Sequence, residues 1–101
     1  SDVYKRQNQV SIDTANAWTN YNSSKSILDA TTAQLKAAEI ANEGITLEYE
    51  SGNQRTTLEV IQSRTLLLEA RTSYANAQKD FAIAQFNLLA SIGDLFLENI
   101  R

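Results

Sequence analysis

The residues with chemical potential gather near the midpoint of the chain. Residues 48 to 60 read EYESGNQRTTLEV, and Tyr49, Arg55, Glu59 and Gln62 stand there within a turn or two of one another. A phenol, a guanidinium, a carboxylate and an amide form hydrogen bonds and ion pairs readily. They contain no nucleophile with a base beside it. The sequence has no His and no Cys, which removes the usual general base, thiol chemistry, disulfides and zinc sites built on those ligands. Glu39, Glu43, Glu48 and Glu50 align in part on one helix face, where a solvated face is the ordinary reading of such carboxylates. A four-helix-bundle enzyme with a carboxylate metal site calls for inward Glu-x-x-His motifs, which this chain lacks. No catalytic, cofactor-binding or metal residues are therefore expected. Gly52 belongs to no phosphate-binding pattern and fits the end of a helix. Trp18, in a column with Ser11, Lys25 and Thr32, reads as a partly exposed packing residue or as a mark of contact with another chain.

Those side chains need elements to hold them. With 43% hydrophobic and 21% charged residues, the composition is that of a folding chain rather than a disordered tail. A net charge of −3 argues against broad attraction to nucleic acid or anionic lipid. No uninterrupted run approaches the roughly 20 apolar residues that span a bilayer, so the segment is not expected to cross a membrane. No signal peptide and no initiator methionine open the chain, and SDVYKRQ has no convincing apolar period. Residues 1–7 read as a non-native or disordered leader, and the whole as one module of a longer protein.

Absence of proline and abundant Ala, Leu, Gln, Glu, Lys and Arg favour helix throughout. The spacing predicts a helix over about 8–51, a tight connection at 52–55, a second helix over about 56–92, and the start of another segment at 93–101. Gly52 suits the left-handed residue that ends a helix, and Asn53 suits a turn. Thr56 with Glu59 three residues later makes a capping box. Gly93 is a second candidate for a helix end. So short a connection makes the two helices antiparallel neighbours.

Each helix carries two apolar seams. In the first, Tyr21, Leu28, Leu35, Asn42 and Tyr49 stand seven apart, with Ala17, Ser24, Thr31, Ala38 and Ile45 at the complementary positions. A separate column runs through Ile12, Thr19, Ser26, Ala33, Ile40 and Leu47, flanked by Ala30, Ala37 and Gly44. In the second helix Val60, Leu67, Tyr74, Phe81 and Leu88 form a large column beside the small one of Ser63, Ala70, Ala77, Ala84 and Ser91. Its additional column holds Ile61, Leu68, Ala75, Ala82 and Leu89, with the polar strip Arg64, Arg71, Gln78 and Gln85 between. Two seams on one helix call for two neighbours. A closed ring of helices has that geometry; so does an ordinary four-helix bundle with wide apolar faces.

Tyr49, Gly52, Arg55, Thr56, Glu59-Val60-Ile61 and the stretch from Asn87-Leu88 to Gly93-Asp94-Leu95, in this order and spacing, resemble the second repeat of TolC-like outer-membrane efflux proteins. The resemblance covers about residues 10 to 95. It implies an all-α, long antiparallel coiled-coil hairpin that forms part of a trimeric α-barrel, with the family's β-barrel outside this segment. It further implies a passive, non-enzymatic conduit for efflux or type I secretion. The segment would lie in the periplasm, attached to a Gram-negative outer membrane. The partners implied are two further copies of the chain, a periplasmic adaptor (membrane fusion) protein and an inner-membrane pump. By position, Tyr49, Arg55, Glu59 and Gln62 would form the tip gate, and Ser51, Gly52 and Asn53 the adaptor-docking tip. Two departures stand out: the turn GNQRTT is one residue longer than the family's common form, and Gln62 stands where some members carry a second acidic ring residue. The rival reading is a generic coiled-coil hairpin for protein–protein docking.

Overall fold

A chain without proline, rich in strong helix formers, has few places to stop. The computed structural model describes residues 2–52 and 54–100. It consists of two long helices, α1 over Asp2–Glu50 and α2 over Thr57–Ile100, which form a helical hairpin. The interruption falls at Gly52, the one positive-φ residue among the described residues, at 79°. In that region a Cβ is strained and glycine is not.

Both outer boundaries differ from the expected ones. The first helix begins at Asp2 rather than near residue 8, so over its described residues the expected leader at 1–7 is the opening of α1. Nothing in DVYKRQ opposes helix, and Asp2 lies in the first turn, where the helix dipole favours a carboxylate. These residues lack a period because they contribute nothing to the seam: 2–9 are all exposed, and the first half-buried position is Val10. At the other end α2 runs through Gly93 to Ile100. Glycine inside a helix costs only about 1 kcal/mol relative to alanine, and half-buried Leu95 and Glu98 carry the seam beyond it. The segment expected to begin at 93 is thus, through residue 100, a continuation of α2.

By their contacts the helices divide into two units, Leu28–Ala77 around the turn, and residues 1–27 with 78–101. In the turn unit the Ser63 hydroxyl donates to Asn42 Oδ1 at 3.2 Å. Counting outward from that rung in the antiparallel sense sets Ala38 level with Leu67, Leu35 with Ala70, and Leu28 with Ala77. Large meets small at each of these levels, so the backbones approach closely enough to leave Ala70 and Ala77 only 2% and 3% exposed. In the outer unit the Thr14 hydroxyl donates to the carbonyls of Val10 at 2.9 Å and Ser91 at 3.3 Å. That register sets Ala17 level with Leu88 and Tyr21 with Ala84, and all four are buried or half-buried. Every column assigned to the first seam faces the partner helix except at Tyr49, which is 42% exposed.

The other columns stay in water. Ile12, Ile40 and Leu47 on α1, and Ile61, Leu68 and Leu89 on α2, are all more than half exposed. Together with the seam they give α2 an 18-residue window of mean hydropathy 1.3, of which 6% is buried. By length and composition α2 is therefore long and apolar enough to cross a bilayer, contrary to the count of uninterrupted apolar residues. The two measures part because two apolar columns on different sides of one helix add in a sliding average while polar residues still interrupt the run.

Candidate functional site at the hairpin tip

The end of α1 is tied off by its own last turn. The Ser51 amide donates to the Leu47 carbonyl at 3.0 Å, and the Gly52 amide to that of Tyr49 at 3.2 Å. The Ser51 hydroxyl donates to the Glu48 carbonyl at 3.1 Å, which satisfies one of the orphaned acceptors of a helix C-terminus. Asn53, assigned with Ser51 and Gly52 to the docking tip, lies outside the described residues. Ser51 and Gly52 are exposed.

The restart is the expected capping box, formed in full. The Glu59 amide donates to Thr56 Oγ1 at 3.1 Å, and the Thr56 amide donates to Glu59 Oε2 at 2.8 Å. Thr56 also accepts the first helical bond through its carbonyl, from the Val60 amide at 3.2 Å. Thr56 is thus the N-cap and α2 begins at Thr57. A shift of one residue from the expected start is the usual spread of helix ends.

The four gate candidates are brought to one end of the hairpin, but not into one cluster. The Tyr49 hydroxyl pairs with Thr57 Oγ1 at 3.0 Å, linking the last turn of α1 to the first of α2. The Arg55 Nε donates to Glu48 Oε2, and its Nη1 stands 4.0 Å from Glu59 Oε1. The hydrogen bond to Glu48 and that carboxylate's charge hold the Arg55 guanidinium above the ordinary arginine pKa; the Glu59 charge adds less. Arg55 therefore has both of these partners within its own hairpin. Gln62 lies along one flank, where it lines a groove of about 570 Å³ together with Arg55, Glu59, Ala41, Leu66 and Glu69. Tyr49 is not part of that groove.

Two participants were missed from the sequence. Of the four carboxylates expected on a solvated face, Glu39, Glu43 and Glu50 are exposed, but Glu48 is half-buried. Its signal was an acid seven residues before Arg55 across a glycine turn. Thr57 had no signal beyond its hydroxyl. In the other unit Trp18 is 56% exposed and stacks on Tyr21, centroids 5.9 Å apart, and Tyr21 meets Phe81 at 5.3 Å. With Gln85, Leu88 and Leu89, Trp18 and Tyr21 line a hollow of about 300 Å³.

Comparison of the chain with family models, with curated proteins and with solved structures finds no match.

Proposed function

We propose that this chain is the tip and lower wall of an export channel of the TolC-like kind, a passive conduit that does no chemistry. In this reading it belongs to a homotrimeric α-barrel on the periplasmic side of a Gram-negative outer membrane. A periplasmic adaptor, working with an inner-membrane pump, opens it. The observation that carries the reading is the second apolar column on each helix, left in water while the heptad seam between the helices is filled. A two-stranded docking arm needs only the filled seam; a wall helix needs a neighbour on each side. The tip supports the reading through chemistry suited to a latch. Tyr49 to Thr57, and Arg55 to Glu48 and Glu59, are surface bonds, and such contacts are weak enough for a partner to break.

The test is conductance of the intact protein in planar bilayers. Arg55→Ala, Tyr49→Phe and Glu48→Gln are each expected to raise it, and Arg55→Ala with Tyr49→Phe to raise it further. Glu59 is left alone because its loss also removes half of the capping box. Wild-type conductance in all of these variants would end the latch reading. The rival, a docking hairpin, draws support from the open groove beside Gln62; it predicts no conductance at all.

A further inference from the structure

Three features of α1 fall within about one helical turn of one another, just inside the tip. The first is the rung of Asn42 and Ser63, joined by a hydrogen bond of 3.2 Å, with Ser63 only 6% exposed. The levels on either side of it, Ile45 with Val60 and Ala38 with Leu67, are apolar, and a polar rung in a heptad seam costs stability relative to an apolar one. The second is Gly44. Nothing lies within 4 Å of where its Cβ would stand, and its φ is not positive. Neither packing within the hairpin nor backbone conformation calls for glycine there, and glycine weakens a helix. The third is Thr46, whose Oγ1 is buried without a hydrogen-bond partner. Thr14, Thr19, Thr65 and Thr72 each donate to the carbonyl four residues earlier; Thr46 does not. On α2 the same levels run from Glu59 to Ser63, with no glycine and with the capping box beside them.

We infer that residues 42–46 are a hinge in α1, about which the last turn of that helix bends away from α2. The bonds that the bend breaks run from the amides of 46–48 to the carbonyls of 42–44. A threonine hydroxyl that bonds the carbonyl four residues before it bends a helix. In the bent form the Asn42 carbonyl, released by the Thr46 amide, accepts from Thr46 Oγ1. The bent form thus gains a bond that the straight form lacks, which is the difference between states that a switch requires. In the straight form the end of α1 is tied to the start of α2 by Tyr49 with Thr57 and to Arg55 through Glu48. Both ties lie on the tip side of the hinge, so a partner that breaks them releases the bend. The hinge belongs to the chain itself and does not depend on whether the tip closes a duct.

Residue-resolved hydrogen exchange of the 101-residue chain, followed by NMR with and without low concentrations of urea, tests this. Fraying from the helix end makes rates fall steadily from residue 50 inward. A hinge keeps them level over 46–50 and drops them sharply by 41, with little urea dependence over 46–48 because a bend exposes little surface. Gly44→Ala is expected to slow exchange over 46–48 about fivefold. Thr46→Val keeps the β-branched shape and loses the hydroxyl; it is expected to slow the same amides about fivefold or more. Arg55→Ala, which cuts the tie to Glu48, is expected to speed them. None of the three is expected to change the rates over 30–41. Rates that fall steadily from the end, or that share the urea dependence of 30–41, would overturn the hinge. So would wild-type rates over 46–48 in Thr46→Val, or a slowing that reaches 30–41 equally. Conductance of the intact protein is a separate readout: its absence ends the channel reading and leaves the hinge standing.

Discussion

Leu67 and Leu68 are adjacent leucines with opposite surroundings, and truncating each tests the two-seam description. Leu67 is 7% exposed on the seam, level with Ala38; Leu68 is 60% exposed. Leu67→Ala removes buried carbons worth roughly 2 kcal/mol in transfer alone, and a cavity term brings leucine truncations to about 2–5 kcal/mol. A two-helix hairpin has no layer behind its seam, so water and side-chain movement refill much of the hole. We therefore expect a loss near the lower end, about 2–3 kcal/mol. Leu68→Ala in a lone hairpin removes little buried surface and is expected to cost under about 0.5 kcal/mol. In an assembly that covers Leu68 the cost rises, and only at protein concentrations where copies associate. The assay is urea unfolding followed by helical circular dichroism, at a dilute and a much higher concentration. Equal losses for the two variants in dilute solution would refute the division into a filled and an open seam. Equal behaviour of Leu68→Ala at both concentrations would argue that nothing covers that column.

Gly52→Ala keeps ample room, with nothing within 4 Å of the added carbon, but forces φ near 79° on a residue with a Cβ; a loss of about 1 kcal/mol in the same assay is expected. Thr56→Ala and Glu59→Gln each remove or weaken one arm of the capping box; Thr56→Ala is expected to cost about 1 kcal/mol, and the pair less than the sum of the singles in a double-mutant cycle. The Arg55 pKa is raised by Glu48 first and Glu59 second, so its contribution is complete below the unfolded arginine value and is lost only as pH rises through the still higher folded one. The Arg55 Nε–H signal in NMR spectra should accordingly show no deprotonation of the guanidinium between neutral and mildly alkaline pH, whereas Glu48→Gln should shift that signal.

Much of this architecture is encoded in short-range patterns, and those are what the sequence by itself determined. Val60, Leu67 and Leu88 face the partner helix because a seven-residue repeat returns each to the same side of α2, whatever the rest of the chain does. Gly52 ends α1 and Thr56 with Glu59 starts α2 because these are contacts among residues at most a turn apart. Helix ends were harder to read: neither the missing period in residues 2–7 nor Gly93 carries enough energy to stop a helix in a chain of strong helix formers. The tertiary structure alone decided which side chains meet across the turn. Arg55 had several carboxylates within reach in sequence, and the way the turn folds back gave it Glu48, while the Tyr49 hydroxyl went to Thr57 rather than into a common cluster. It also decided that Gln62 joins a groove with Ala41 of α1 while Ile61, its neighbour in sequence, does not, because such a groove exists only once a second helix lies beside the first.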